Sequence, residues 1–254
     1  MKELKNLLGE LKLFGIKDVI DFRLMEGAKA GLGYEDFLKL LIEDEQLHRT
    51  NLRAAKLRKK ASFKDTVLLA DFDVNLKRGI SKIMIKEFQT LNFLRGFENI
   101  ILVGATGVGK SFLAQAIGHA ACMSGKSSKF MPVNYLFELY KEAEREGKVL
   151  LFLKRFSTYD ILILDDLGLR KFTHEEATLL YQITEDRYQK GSTIITTQVK
   201  VPGLKDLFDD QVMAEAIINR LVSTAHVIEV KDDNYRKKQA PKKKISIENE
   251  SQLS

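Results

Sequence analysis

Residues Asn99-Ile100-Ile101-Leu102-Val103-Gly104-Ala105-Thr106-Gly107-Val108-Gly109-Lys110-Ser111-Phe112 decide the fold. The apolar run from Ile100 to Val103 reads as a buried strand. Gly104 to Ser111 then complete a G-x-x-x-x-G-K-[ST] pattern. Beyond it Phe112, Leu113, Ala116, Ile117 and Ala120 recur at helical spacing. Strand, loop and helix in that order are the context a phosphate-binding loop requires. Glycines let the backbone wrap an anion, and a helix N-terminus offers unpaired N–H groups and the positive end of its dipole. Gly104, Ala105, Thr106, Gly107, Val108, Gly109, Lys110, Ser111 and Phe112 are therefore the candidate contacts to a nucleoside triphosphate. Lys110 would reach the β- and γ-phosphates, and the Ser111 hydroxyl would take one position on Mg²⁺.

Working outward, Ile161-Leu162-Ile163-Leu164 forms a second apolar run that ends in Asp165 and Asp166. Asp165 is the second candidate Mg²⁺ ligand, through a bound water, and Asp166 would orient the water that attacks the γ-phosphate. Paired carboxylates beside a doubly charged cation make electrostatic sense, although a strand ending in an acidic turn would look the same. The strand candidate Ser192 to Thr197 leads into Gln198, so Thr197 and Gln198 are either γ-phosphate sensors or ordinary strand-ending polar residues. A guanine reader of the Asn-Lys-x-Asp kind is replaced here by Thr196-Thr197-Gln198-Val199-Lys200, which favours ATP as the nucleotide.

Residues 1–66 contain no strand candidate and read as a small all-α domain. Leu4, Leu7, Leu8, Leu11 and Phe14 mark a first helix that Gly15 punctuates. A second runs from Ile16 to Ala30, and a third from Tyr34 toward Lys60. On the third, Arg49, Arg53, Lys56 and Lys60 fall at i, i+4, i+7 and i+11, a stripe suited to the phosphate backbone of duplex DNA. After a connector, helix candidates at 76–92, 135–145, 152–157, 174–189, 204–208 and 212–224 separate strand candidates at 128–133, 159–166, 192–197 and 226–230. That alternation predicts an α/β fold of the P-loop NTPase kind, a parallel sheet with helices on both faces, over residues 67–236. Residues 237–254 read as a basic, flexible tail.

Hydrophobic residues at 44% and charged residues at 30% describe a soluble globular chain, and no apolar run is long enough for a membrane span. The N-terminus has no signal-peptide core. The one cysteine, Cys122, fits a reducing cytoplasm and reads as a buried structural thiol. His48, His119, His174 and His226 lack metal-ligand spacing, which argues against a transition-metal centre. The net charge of +6 concentrates at 49–64 and 231–244, either a nucleic-acid footprint or a solvated helix face and a solubilising tail.

Together these residues resemble the AAA+ ATPases and, within them, the IstB-type transposition helper ATPases, with helicase loaders of the DnaC and DnaI type as near kin. The likeness is carried by Tyr34-Glu35-Asp36-Phe37 with the basic helix after it, Asp71-Phe72-Asp73, Asn99 to Gly104, and Asp165-Asp166-Leu167-Gly168. Ala216-Ile217-Ile218-Asn219-Arg220-Leu221 and His226 to Val230 complete it. The resemblance implies a homo-oligomer with ATP at its subunit interfaces, assembled on DNA and regulating a partner transposase. Arg220 matches the arginine finger, Arg236 a sensor arginine, and Gln198 stands where sensor 1 is commonly asparagine. Asp166 replaces the usual glutamate, which implies modest turnover, and the residues beyond Arg236 are too few for a helical lid. A helicase loader acting on a replicative helicase, a scaffold using ATP only structurally, and a small-molecule kinase are the competing readings.

Overall fold

The computed structural model describes residues 1–64, 67–72 and 79–231. Asp73, the expected helix start at Leu76, Arg236 and the 237–254 tail lie outside the described residues. Along the chain run α1 (Lys2–Glu10), α2 (Phe14–Ala30), α3 (Tyr34–Ala61), α4 (Lys82–Thr90), β1 (Asn99–Val103) and α5 (Lys110–Met123). Then follow β2 (Ser128–Pro132), α6 (Val133–Arg145), α7 (Val149–Ser157), β3 (Ile161–Leu167), α8 (His174–Arg187), β4 (Ser192–Thr197), α9 (Gln211–Val222) and β5 (Ala225–Glu229).

The strands form one sheet in the order β2-β3-β4-β1-β5, and every pairing is parallel. Because successive side chains point to opposite faces, each strand feeds two cores. Ile100, Leu102, Ile161, Ile163 and Ile194 pack with Ile85 and Phe88 of α4 and Leu113 and Ile117 of α5. Ile101, Val103, Leu162, Leu164 and Ile195 pack with Leu136 and Phe137 of α6, Phe156 of α7, Leu179 and Ile183 of α8, and Ile217 of α9. Helices on both faces explain why these strands are apolar throughout rather than alternating. After β1 the chain crosses to β2 at the far edge, while β4 and β5 flank β1. The carboxyl end of β1 therefore opens a crevice between oppositely directed crossovers, where ligands bind in sheets of this kind.

The N-terminal helices correct one expectation. α1 stops at Glu10, and Phe14 and Gly15 open α2 instead of closing the first helix. Gly15 is the point where α2 crosses α3: a β-carbon there would lie 2.6 Å from Cβ of His48 and 2.8 Å from Cα of Glu45. The buried Glu45 carboxylate accepts the N–H groups of Gly15 at 2.7 Å and Ile16 at 3.2 Å. A carboxylate from α3 thus satisfies orphan donors at the start of α2, which no local pattern could announce. Leu8, Ile20 and Leu41 form the small core of these three helices. The last turns of α3 seat instead on α5 and β2, where Ala54 and Ala61 are buried, so one helix serves both units.

Two further boundaries move. Among the described residues α4 begins at Lys82, after the non-helical residues 79–81, where the Ser81 hydroxyl accepts from Met84 N at 3.2 Å as an N-cap. The segment expected as a helix at 204–208 is a 3₁₀ stretch, Val201–Leu207, opened by Pro202.

Candidate phosphate-binding site

Gly104 follows β1 directly, and a β-carbon there would meet the Val230 carbonyl at 2.3 Å. Val230 cannot retreat, since its N–H bonds the Val103 carbonyl at 2.7 Å. Gly104 is therefore needed for strand packing as well as for approach to an anion. Gly107 and Gly109 take φ values of 83° and 101°, a region that a side chain resists, and Gly109 caps α5. Val108 is buried and anchors the loop, while Ala105 and Thr106 are exposed on its rim. Ser111 and Phe112 follow in the first turn of α5, both half-buried.

Lys110 opens α5 and is only 5% exposed. Its Nζ donates to the carbonyls of Gly104 at 2.9 Å and Ala105 at 2.8 Å, so the ammonium closes the loop upon itself. Burial pulls its pKa below the ordinary lysine value, against the opposing charges of Asp166 and Asp165. The charges of those two carboxylates therefore reach the loop lysine.

The two are not placed alike. The β3–β4 register shifts between Leu164 and Leu167, and Asp166 adopts φ 60°. This irregularity turns adjacent side chains apart. Asp165 is 1% exposed, whereas Asp166 opens to solvent. The Thr196 hydroxyl of β4 donates to Asp165 Oδ1 at 2.7 Å and accepts the Asp166 N–H at 2.9 Å. Thr196 is a site residue that sequence reading missed, because only the pairing of β3 with β4 brings it there. Thr197, open between a phosphate sensor and a strand-ending residue, is buried, and its hydroxyl is taken up by the backbone. Its hydroxyl donates to the Leu167 carbonyl at 2.7 Å and accepts Val199 N–H at 3.1 Å, which holds the strand ends together. Gln198 is exposed just past β4. Ser111 and Asp165 offer oxygen donors, the chemistry that suits Mg²⁺, a hard cation that prefers few carboxylates and retained waters.

Arg220 lies elsewhere. On α9 it is ion-paired with Glu185 of α8, donates to the Ala216 carbonyl at 3.0 Å, and stands 5.2 Å from the Tyr181 ring centroid. Its own carbonyl accepts from Asn99 Nδ2 at 3.2 Å, at the start of β1. The loop follows the other end of that strand, about 13 Å away at 3.3 Å per residue. Arg220 is therefore on the opposite rim of the sheet from its own phosphate loop.

Arg49, Arg53, Lys56 and Lys60 are all exposed along α3. Arg49 is held by Glu45 at 2.7 Å, and the other three make no ion pair among the described residues. Cys122 is buried, and burial pushes its thiol pKa up, so it packs rather than reacts. Among the described residues no His/Cys/Asp/Glu group could hold a metal on its own, and no helix is long and apolar enough to cross a membrane.

Known proteins resemble this chain in sequence and in fold. The chain is 31% identical over its whole length to an insertion sequence IS21 ATP-binding protein of Pseudomonas aeruginosa, covering 96% of that protein. It is 30% identical over 94% of its length to an insertion-sequence ATP-binding protein of Mycobacterium tuberculosis, covering 95% of it. Among solved structures, the DnaC helicase loader superimposes with a TM-score of 0.55 at 25% identity, over 65% of this chain and 97% of that one. Residues 6–243 match the family described as "IstB-like ATP binding protein". The matched region spans both the helical N-terminal residues and the AAA+ fold that carries the phosphate loop, and this chain belongs to that ATP-binding family.

Proposed function

We propose that this chain is an ATP-hydrolysing transposition helper that works in the cytoplasm as an oligomer on duplex DNA, with ATP between subunits. One observation carries the reading: the phosphate loop and the aspartate pair occupy one rim of the sheet, and Arg220 the other. A closed set of subunits would bring the far rim of one against the near rim of the next. Arg220 would exchange Glu185 for the γ-phosphate of its neighbour, where a guanidinium is worth about 10³–10⁵ in rate. Lys110 would leave the Gly104 and Ala105 carbonyls for the β- and γ-phosphate oxygens. Asp166, turned out by the bulge, would orient the attacking water, while Asp165, fixed by Thr196, would hold a metal-bound water. Mg²⁺ would supply charge neutralisation at the β- and γ-oxygens. The exposed cations of α3 would grip phosphates, giving affinity with little sequence information. A transposase is the client that fits a chain of insertion-sequence relatives.

The test is complementation between subunits. Arg220→Ala and Lys110→Ala proteins should each be inactive in DNA-stimulated ATP hydrolysis. Their mixture should regain part of the activity, because Lys110→Ala subunits retain the arginine that Arg220→Ala sites need. A mixture as inactive as its components, although co-assembled, would remove the shared site. The likeness of the ATPase core to a helicase loader supports a second client, a replicative helicase. Stimulation of strand transfer by a transposase of the insertion-sequence type, against retention of a replicative helicase, separates the two.

A further inference from the structure

A second cavity lies at the β2 edge of the sheet, separated from β1 and its phosphate loop by β3 and β4. It is a cleft of about 710 Å³ beside β2, walled by α6, α7 and the end of α3. Lys129, Phe130, Met131 and Pro132 all line it. Successive strand residues point to opposite faces, so they can share one cavity only if it runs along the strand's open edge. β2 is the edge of the sheet and pairs with β3 alone. An edge strand facing a cleft is a template for an added extended segment.

The charge in this cleft is unbalanced. Lys129 is 7% exposed, and its Nζ donates to the Ser62 hydroxyl at 2.6 Å. Among the described residues it has no carboxylate partner, and the nearby charge that acts on it is the like charge of Arg155, which also lines the cleft. Arg155 makes no ion pair among the described residues. Glu142 and Glu146 share the wall, but Glu146 is held by Lys148 at 2.8 Å, and Glu142 forms no ion pair with either cation. A buried ammonium without a counter-charge is costly unless an anion arrives to complete it. Part of the lining is apolar and exposed: Leu151 is 68% exposed, Tyr135 is exposed too, and Phe152 lines the same cleft. An exposed apolar cluster around a cleft marks a protein contact.

We propose that this cleft receives an extended, acidic and apolar peptide segment of a partner protein, laid along β2. Main-chain pairing would come from the strand edge, Lys129 and Arg155 would take the carboxylates, and Leu151 with Phe152 would take the apolar side chains. A nucleic acid is a poorer fit, because phosphates make no use of the apolar wall. The basic residues at 231–244 of this same chain carry the wrong sign to fill it. Residues 245–254 are acidic and apolar, so a rise in peptide affinity on deleting them would assign the cleft to this chain's own end and overturn the partner. The inference stands apart from the nucleotide site and does not rest on hydrolysis.

The probe is a phage library of random dodecapeptides panned against the full chain, with enriched peptides then synthesised and fluorescein-labelled. Enrichment of alternating acidic and apolar residues is expected. Anisotropy should report affinity lost about tenfold or more in both Leu151→Glu and Arg155→Ala, the loss typical of central contacts. Both variants should keep the parent melting temperature and their affinity for a fluorescent ATP analogue. Failure to enrich, basic consensus peptides, or equal binding to both variants would overturn the proposal. So would displacement of the peptide by a short labelled DNA duplex whose own binding also needs Arg155, since the cleft would then be a nucleic-acid site. Lys129→Met gives an independent reading: the free protein should melt no lower than the parent, because an uncompensated buried charge is removed. A clear drop would mean that the charge is already neutralised within the chain, which would also sink the idea.

Discussion

The hydroxyl of Thr196 sits 2.7 Å from Oδ1 of Asp165 and at the same time receives the backbone N–H of Asp166 at 2.9 Å. One buried side chain on β4 thereby fixes both acidic residues of β3, the inward one by its carboxylate and the outward one by its main chain. Thr196→Val keeps the shape and removes the bond. We expect ATP hydrolysis to fall about tenfold or more, equivalent to 1.4 kcal/mol of barrier. Affinity for a fluorescent ATP analogue should change little, and stability should drop by about 1–3 kcal/mol from the unpaired buried groups. A hydrolysis rate equal to that of the parent would deny Thr196 any part in positioning.

Gly104→Ala tests the packing of the loop's first residue. The new methyl would lie 2.3 Å from the Val230 carbonyl. The strand end must shift, so both melting temperature and ATP affinity should fall, the first by an overpacking cost of about 1–3 kcal/mol. Unchanged thermal denaturation would contradict this close approach.

Arg187 is 2% exposed and acts as a staple rather than as a catalytic cation. It donates to the carbonyls of Phe156 at 2.7 Å, Tyr159 at 2.9 Å and Ser192 at 2.6 Å, and to the Thr193 hydroxyl at 3.2 Å. Arg187→Met would leave buried carbonyls without donors. Urea denaturation should register a loss of roughly 3 kcal/mol or more.

Glu176 closes a capping box at the start of α8 and takes Arg170 through both oxygens, at 2.8 and 2.7 Å. The Arg170 guanidinium holds its pKa below the usual 4.5, over the opposing effect of burial, and the Thr173 N–H adds to the lowering. A carboxyl depressed in the folded state stabilises fully above its unfolded value, and that stabilisation is lost as pH falls through the folded value. Glu176→Gln should therefore lower the melting temperature at neutral pH, and the gap to the parent should close as the solution is acidified below the ordinary carboxylate range. A gap constant with pH would show that shape rather than charge matters here.

The α3 stripe makes a salt prediction. Replacing Arg53, Lys56 and Lys60 with alanine should weaken duplex binding alike for unrelated sequences. It should also flatten the dependence of log affinity on log salt by about 0.9 per lost phosphate contact. An unaltered slope in a filter-binding series would clear these residues of any role in the DNA interface.

Much of the fold and of the phosphate site was legible in the chain itself. The run from Asn99 to Phe112 encodes a strand, a turn and a helix in adjacent residues, so spacing alone located the loop that Lys110 and Gly109 build. Asp165 and Asp166 were visible because they end an apolar run. Element order followed from periodicity, with an error where a boundary depends on a helix crossing, as at Gly15.

What adjacency cannot encode is register between distant strands and the partners that packing selects. Thr196 and Thr197 look alike in sequence, yet one positions the aspartates and the other ties off a strand, because the β3–β4 pairing shifts at Asp166. Arg220 reads as a finger by its motif, but only the sheet puts it on the rim opposite its own loop and in the grasp of Glu185. Local conformation is a property of neighbouring residues. The company a side chain keeps is decided by hydrophobic burial of whole strands and helices, which brings together residues that spacing never relates.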